Sequence, residues 1–318
     1  MDTEDGTTLV IGEALMDVVV TADGSREYPG GSPMNVSAGL ALLEVPTTFL
    51  TRLGADDRGD RVRQRLDDAG VTLAAGSVDQ LATSTATATI DASGAASYQF
   101  DVEWDLPPEV NPRGVKHLHF GSIAAFLSPG AAKVEQWVEA VRASATVSYD
   151  PNIRPQFLAD RHATLDAVRR HVSASDIVKA SLEDVHWLYP GRTAADVAVE
   201  WMSRGPSLVV VTDGANGAVT ACTAGLATIA ALSVPVADTI GAGDAFMSGL
   251  IAALGERGYL GTGRALLKNI SLDIVADVAN SATLCAALTV GKSGATPPTL
   301  AELHAVNPAQ ILRVSSDS

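Results

Sequence analysis

Short apolar runs alternate with helical stretches along most of the chain, and this alternation limits the fold more than any other feature of the sequence. Strand-like runs at 47–54 and 115–121 precede the helical stretches 57–69 and 131–142, and the runs at 145–150 and 207–213 are bounded by helical stretches as well. Short strands separated by helices of ten or more residues are typical of βαβ units. We therefore expect a three-layer α/β/α fold with a central, mostly parallel sheet covered by helices on both faces.

The region 83–100 departs from that rhythm. It alternates small β-forming residues, with a turn at Ser93–Gly94, which predicts an antiparallel hairpin. Together with 16–21 it would form a small accessory sheet, which is marginal alone and would serve as a lid, a dimer surface or both. The lid segments would be about 16–30 and 83–105, within a single domain that spans the 318 residues.

Charge and composition exclude several classes of function. Acidic residues outnumber basic ones by 37 to 22, and the formal net charge is −15. Such a field repels nucleic acid and anionic membranes, so we expect neither as a partner. Cys222 and Cys285 lie far apart without metal-type spacing, as reduced thiols of a cytoplasmic protein do. The polar amino terminus is unlike a signal peptide, and no apolar run approaches the ~18 residues of a membrane span.

The most informative segment is 238–249, DTIGAGDAFMSG, which follows the strand-like run VPVA and opens a helix-like run. Gly241 and Gly243 let the backbone approach a ligand closely. Together with Ala242 they turn the free amides of a helix start outward, which suits a phosphate. Asp244 lies inside this ring of amides. It is either a helix-capping acid or a base beside a bound phosphoryl group.

DTIGAGDAF resembles the signature of the ribokinase-like, phosphofructokinase-B type carbohydrate kinases, which include ribokinase, bacterial fructokinase, 2-keto-3-deoxygluconate kinase and adenosine kinase. A second matching signature, GGSPMN at 30–35, precedes an Ala- and Leu-rich helix, for which we expect Ser32 as the N-cap, and then LGADD at 53–57. The two signatures stand in the family's order. The resemblance implies the ribokinase-like fold, with a small β-sheet lid, and an enzyme most similar to bacterial fructokinases.

The resemblance assigns sugar binding to residues near the front of the chain. Asp17 would bind sugar hydroxyls, because a carboxylate accepts two vicinal hydroxyl groups, unless it is a solvent-facing acid at a strand end. Gly30 and Gly31 would let the sugar approach backbone amides, or form an ordinary turn. Asn35 would bond a sugar hydroxyl, or act as a local cap.

The run DPNIR at 150–154 follows a strand and resembles the family's D-x-N-x-R. Asp150 and Asn152 would orient waters on Mg²⁺ or substrate hydroxyls. Arg154 would bind phosphate through two N–H groups of its planar guanidinium. Asp-Pro-Asn is also a good turn, which is the alternative.

The run KASLED at 179–184 lies where many relatives carry N-x-x-E. The resemblance places Lys179 near the nucleotide and Glu183 near Mg²⁺, which it would organise through water. Ala180 replaces the asparagine of those relatives, and fructokinase-type members often read K-x-S-x-E here. A capping box of Ser181 with Asp184 is the competing structural interpretation.

Two further segments resemble ligand-binding turns of the family. Thr212, Gly214 and Gly217 match its nucleotide-binding turn, with a plain β-turn as the alternative. A second set matches the loop that holds a monovalent cation in relatives: Asp238, the carbonyl of Ile240, and Gly294. A proline-rich loop needs no ion to explain it, so the alternative is a loop without bound K⁺.

These resemblances imply ATP-dependent phosphorylation of a primary hydroxyl on a small carbohydrate, with ATP and Mg²⁺ as cofactors and Asp244 as the base. Fructose is the leading substrate, and 2-keto-3-deoxygluconate and ribose are alternatives. A non-catalytic sugar-binding protein is the alternative from another class, although it would dispense with Asp244. Relatives usually carry a longer aromatic- and Arg-rich segment than 98–105, which leaves the sugar open. Nothing in the sequence marks an aromatic sandwich for a base, which disfavours nucleosides.

Overall fold

The computed structural model describes residues 6–90, 96–158 and 160–306. Its strands are β1 Thr7–Ile11, β2 Leu15–Thr21, β3 Gly24–Gly30, β4 Thr47–Leu50, β5 Leu53–Gly54, β6 Thr72–Leu73, β7 Val78–Asp79, β8 Thr85–Ile90, β9 Ala96–Asp101, β10 Val115–Gly121, β11 Thr146–Asp150, β12 Ile177–Ser181, β13 Leu208–Thr212, β14 Ala218–Cys222 and β15 Gly225–Ile229. Its α-helices are α1 Ser32–Leu42, α2 Asp57–Ala69, α3 Gly130–Val141, α4 Arg161–Ser173, α5 Leu182–Leu188, α6 Ala194–Met202, α7 Ala242–Glu256, α8 Arg264–Leu267, α9 Leu272–Val290 and α10 Leu300–Ala305.

A nine-stranded sheet forms the centre of the fold, in the order β15-β14-β13-β12-β11-β10-β1-β4-β6. Neighbouring strands are parallel from β13 to β6, whereas β14 and β15 add an antiparallel edge. The expected mostly parallel sheet is confirmed. Because the parallel strands share one direction, their carboxyl ends meet at one edge, which is where α/β sheets bind ligands.

Apolar side chains project from both faces of this sheet, as a three-layer fold requires. In β1, Val10 belongs to one core with residues of α1, α7 and α9, while Leu9 and Ile11 belong to a second core with α3, α4 and α6. The strand is thus buried on both faces, which explains the continuous apolar run of its last three residues.

A separate four-stranded sheet, called the small sheet here, has the order β3-β2-β8-β9. The predicted hairpin is formed by β8 and β9, and β2 pairs parallel with β8, as we expected of the accessory sheet. The turn expected at Ser93–Gly94 lies outside the described residues.

Two local predictions were wrong. The run VPVA at 234–237 is not a strand, since Pro235 has no amide to donate to a ladder. Ser32 is not the N-cap of α1, because Gly31 occupies that position with φ 114° and Ser32 is the first helical residue. Its hydroxyl is therefore free for another partner.

Helix α9 bears on the expectation that no apolar run approaches the length of a membrane span. Its 19 residues, of mean hydropathy 1.3, would suffice for a membrane span by length and composition alone. It packs along α7, where a Cβ on Gly249 would lie 2.7 Å from the Sγ of Cys285. Val278 and Ala282 also belong to the core, so one face of α9 is buried.

Candidate active site

A cleft of about 1360 Å³ opens at the carboxyl edge of the large sheet and is also lined by the small sheet. It brings together most of the residues that the sequence predicted for the site: Asp17, Gly30, Gly31, Asn35, Asn152, Arg154, Lys179, Glu183, Thr212, Gly214, Asp238, Ile240, Gly241, Gly243, Asp244 and Gly294. Three predicted residues, Asp150, Gly217 and Ala242, do not line it.

Helix α7 begins at the cleft with a glycine turn. Gly241 is its N-cap with φ 77°, and a side chain there would clash with the neighbouring loop. The amide of Ala242 donates to the carbonyl of Thr239 at 3.3 Å. That amide thus has a partner within the loop, and the role of Ala242 in an anion site stays a prediction. The amides of Gly243 and Asp244 remain, and such first-turn groups have no partner within their own helix.

The carboxylate of Asp244 accepts hydrogen bonds from two side chains of α1 rather than capping α7. Ser32 Oγ donates to Oδ1 at 2.6 Å, and Asn35 Nδ2 donates to Oδ2 at 2.9 Å. The two helices can approach closely because Gly39 has no side chain. A Cβ at this position would lie only 2.5 Å from the Oγ of Ser248. Both carboxylate oxygens are thereby fixed in direction, and each retains lone pairs that can accept a proton.

A buried ion pair lies against the start of α7. Lys179 Nζ is 2.8 Å from Asp150 Oδ2, and a Cβ on Gly243 would be 2.9 Å from the same ammonium. Burial alone would lower the pKa of Lys179, but Asp150, Asp244 and Asp184 more than offset it, so the pKa is raised. Burial raises the pKa of Asp150 to about 6, against the effect of Lys179. The ammonium of Lys179 thus lies beside the first turn of α7, with its charge shared among nearby carboxylates.

The capping box at the start of α5 is present. Asp184 accepts from the amide and hydroxyl of Ser181 at 2.9 and 2.7 Å, and Ser181 Oγ accepts from the Asp184 amide. The other oxygen of Asp184 accepts from the amide of Ile153 at 2.7 Å, which ties down the loop after β11. Glu183 is exposed and lines the cleft. The capping interpretation and a metal-facing Glu183 are therefore compatible.

The end of the cleft under the small sheet carries two acids. A Cβ on Gly30 would lie 1.9 Å from Asp17 Oδ2, and one on Gly31 would lie 2.5 Å from the carbonyl of Glu13, so both glycines make room for neighbours. Burial raises the pKa of Asp17 to about 6 and that of Glu13 to about 7, and Arg154 opposes both shifts. Arg154 therefore lies near these acids.

The chain is similar to one family of known proteins over nearly its whole length. Residues 7–302 match the model of the pfkB family of carbohydrate kinases. The chain belongs to this family. It is 32% identical over 298 residues to a fructokinase of Escherichia coli, with 90% of the chain and 94% of that protein covered.

Solved structures agree in fold. A fructokinase from Xylella fastidiosa with bound ATP has a TM-score of 0.80 at 22% identity, covering 94% of this chain and 97% of its own. A double-mutant fructokinase from Vibrio cholerae O395, solved with fructose, ADP and potassium ion, has a TM-score of 0.76 at 25% identity and covers 95% and 98%. The chain is a carbohydrate kinase with the ribokinase-like fold, as its motifs indicated.

The turn after β13 carries the residues that the sequence predicted to bind the nucleotide. Thr212 and Gly214 line the cleft. Gly217 does not, because it closes a turn: its carbonyl accepts from the amide of Asp213 at 2.7 Å. Its φ is 93°, and a Cβ would lie 2.0 Å from the carbonyl of Ile229. The turn alone therefore explains a glycine at 217, and contact of Gly217 with a nucleotide stays a prediction.

The predicted magnesium ligands do not form a closed set in the kinase. Asp150 is paired with Lys179, and Asn152 Nδ2 donates to Ser122 Oγ at 3.3 Å. No group of three or more His, Cys, Asp or Glu side chains is placed to hold a metal in the described part of the chain. Mg²⁺ usually keeps several waters and binds one or two carboxylates together with substrate phosphates. The exposed carboxylate of Glu183 fits that mode.

The predicted cation loop of the kinase does come together. Asp238 Oδ1 accepts from the amide of Ile240 at 3.0 Å, and Oδ2 accepts from that of Gly294 at 3.0 Å. These two hydrogen bonds lower the pKa of Asp238. Each oxygen keeps a lone pair, so the arrangement is compatible with a bound monovalent cation.

Sequence reasoning missed several residues of the site. Ser32 was taken as a cap although it bonds Asp244. Glu13 is buried and accepts from the amide of Ala124 at 3.0 Å. An acid between two apolar strands was the signal that could have revealed it, because buried carboxylates need specific partners.

Four aromatic side chains line the cleft: Tyr28, Tyr98, Phe100 and Phe157. Tyr98 and Phe100 belong to the segment 98–105, which the sequence already placed beside the expected sugar pocket. Tyr28 of β3 and Phe157, from the turn after β11, were not predicted, because no spacing in the sequence groups them with that segment.

Proposed function

We propose that this kinase transfers the γ-phosphoryl group of ATP to a primary hydroxyl of fructose. The observation that carries the proposal is the carboxylate of Asp244, held by Ser32 and Asn35 in the first turn of α7. The curated relatives named fructokinase support fructose as the sugar. Ketodeoxygluconate and ribose remain the alternative acceptors.

The step needs one nucleophile, one base and a stabilised leaving group. The hydroxyl oxygen attacks the γ-phosphorus, and the bond from phosphorus to the bridging oxygen breaks, with its electron pair leaving on ADP. Asp244 takes the hydroxyl proton. The amides of Gly243 and Asp244, with the ammonium of Lys179, stabilise the charge on the transferred group. When bound, Mg²⁺ neutralises phosphate charge, and Glu183 would hold it through water.

The other parts of the cleft serve binding in this proposal. Asp17 accepts hydrogen bonds from two sugar hydroxyls. Asn35 Oδ1 is buried and has no hydrogen-bond partner among the described residues, and it accepts a hydrogen bond from a third hydroxyl. Thr212 and Gly214 contact the nucleotide. A K⁺ ion at Asp238, with Ile240 and Gly294, would stiffen the loop before α7.

The chain would act as one kinase domain of 318 residues, with the small sheet as its lid. Closure of the lid over the sugar would exclude water, which otherwise competes with the sugar for the phosphoryl group. A homodimer through the lid is part of the proposal. So are a cytoplasmic setting and the absence of nucleic-acid and membrane partners, which the net charge of −15 supports.

ADP release in the presence of a panel of sugars tests the proposal. We expect fructose to stimulate ADP formation and to yield a fructose monophosphate, identified by ³¹P NMR, while Asp244→Asn shows neither. Fructose binding in calorimetry without ADP release from the wild type would instead favour the non-catalytic alternative. Stronger stimulation by ribose or by 2-keto-3-deoxygluconate would replace fructose as the substrate.

A further inference from the structure

Among the described residues, three basic side chains line the cleft, and they differ in how their charge is balanced. Acidic side chains outnumber them in the same lining, so an anionic nucleotide depends on a cation that is not already neutralised. Lys179 is 2.8 Å from the carboxylate of Asp150. Arg154 acts on the two acids at the sugar end of the cleft. No described acid acts in this way on the third side chain, Arg65 of α2.

Helix α2 carries three arginines on one face. Arg58, Arg61 and Arg65 follow one another at intervals of three and four residues, which places them on the same side of the helix. Arg58 and Arg61 both form ion pairs with Glu27 of β3. One turn further along, Nη2 of Arg65 instead donates to the carbonyl of Ala295. A carbonyl has no net charge, so the charge of this third guanidinium is not neutralised by its partner.

Most of the hydrogen-bonding capacity of Arg65 is unused. A guanidinium has five N–H groups, and the carbonyl of Ala295 is the acceptor for one of them. The Nε atom is buried and has no hydrogen-bond partner among the described residues. Burial lowers the pKa of Arg65, and no acid offsets that effect. An unpaired charge in a partly buried position is costly, and one loop carbonyl does not require a charge. The unused donors therefore indicate an anionic ligand.

The carbonyl that Arg65 binds lies beside the start of α7. A Cβ on Gly241, the N-cap of that helix, would lie 2.7 Å from the Cβ of Ala295. Arg65, Gly241 and Gly243 line the same cleft. The guanidinium is thus close to the first turn of α7, whose amides would hold the transferred phosphoryl group in the proposed reaction. The planar fork of arginine matches the oxygens of a phosphate group.

We propose that Arg65 binds the terminal phosphoryl group of ATP through the N–H groups that Ala295 does not use. The inference rests on the proposed function for the position of that phosphoryl group, and it leaves the transfer step itself unchanged. ADP lacks the terminal group. Arg65 therefore contributes to the affinity for ATP and not to the affinity for ADP, whereas a residue that only supported the loop would affect both nucleotides alike.

Nucleotide binding without sugar measures this difference directly. Calorimetry in the presence of Mg²⁺ compares ADP with the β,γ-imido analogue of ATP, which keeps the terminal group but does not transfer it. We expect Arg65→Met to weaken binding of the analogue about ten- to hundredfold, as the loss of a hydrogen bond between charged groups does, and to change ADP affinity less than threefold. Arg65→Gln, which keeps an N–H donor without the charge, should show the same selective loss. Arg61→Met is the matched control, because Arg61 lies on the same face of α2 but pairs with Glu27, and it should change neither affinity.

The outcomes separate this proposal from the proposed function. Equal losses for ADP and the analogue, or wild-type affinity for the analogue in the Arg65 variants, would overturn the role of Arg65. A loss confined to the analogue, in a protein that releases no ADP with any sugar, supports Arg65 and rejects the transfer reaction. Binding of neither nucleotide to the wild type refutes both. If Arg65→Met does not fold, as circular dichroism would show, Arg65→Gln still decides.

Discussion

Replacing Ser32 by alanine removes one of the two hydrogen bonds that orient the proposed base. The wild-type hydroxyl lies 2.6 Å from Asp244 Oδ1, and the remaining bond from Asn35 engages only Oδ2. A carboxylate held by one donor can rotate about its side-chain torsions. We therefore expect Ser32→Ala to lower kcat, because Asp244 spends less time aligned with the substrate hydroxyl.

The size of the effect follows from the kind of hydrogen bond. A bond from a hydroxyl to a charged carboxylate contributes about 1.5–3 kcal/mol, and each 1.36 kcal/mol is tenfold in rate, so kcat should fall about ten- to hundredfold. An opposing effect exists, since losing a donor also makes the carboxylate a stronger base and would speed proton transfer. Alignment should dominate because a proton acceptor first needs hydrogen-bonding geometry.

Steady-state kinetics with a coupled ADP assay distinguishes these effects. We expect the KM for sugar and for ATP to change less than threefold, and Ser32→Thr, which keeps a hydroxyl, to recover at least about a third of kcat. Ser37→Ala is the matched control, since Ser37 lies on the same helix but donates to the carbonyl of Met34. Wild-type or higher kcat in Ser32→Ala would refute the reasoning, as would an equal loss in Ser37→Ala.

Four further predictions concern single residues. Asp244→Asn should lower kcat at least about a hundredfold while ATP affinity, measured by calorimetry, stays within threefold. Gly30→Ala should raise the sugar KM about tenfold and leave the ATP KM unchanged, because the new Cβ displaces the carboxylate of Asp17; an unchanged sugar KM would argue against sugar binding there. Lys179→Met should lower the free energy of unfolding in urea by about 3–5 kcal/mol, since its buried carboxylate partner loses its counter-charge; a loss below 1 kcal/mol would contradict this. The pKa of Glu13 is raised from 4.5 to about 7 in the folded chain, so its contribution to stability is present below pH 4.5 and is lost as pH rises through 7. Glu13→Gln should therefore reduce the fall in unfolding free energy between pH 5 and 8 by about 3 kcal/mol, and parallel pH profiles of the two proteins would contradict the shift.

The sequence was sufficient where the decisive signal is local. The alternation of apolar runs and helices predicted the large sheet, and the glycines before Asp244 predicted the start of a helix there. Strand ends placed most predicted polar residues at one edge, because parallel strands share a direction. A local signal decided less where it had two physical explanations. The positive φ of Gly217 and the nearby carbonyl of Ile229 already require glycine, so the sequence alone could not separate a nucleotide-binding turn from a plain β-turn.

The hydroxyl of Ser32 shows why the remaining contacts could not be predicted from the sequence. A serine before a helix predicts an N-cap because capping depends on neighbours in sequence. Here Gly31 takes the cap, since its φ of 114° and the nearby carbonyl of Glu13 exclude any other residue. The serine then falls one position inside the helix, and its hydroxyl bonds a carboxylate 212 residues away. No local propensity encodes such a pairing, which depends on α1 and α7 meeting at their amino ends. A polar side chain whose expected local role is filled by its neighbour is therefore the one to examine for a long-range role, and Ser32→Ala measures that role directly.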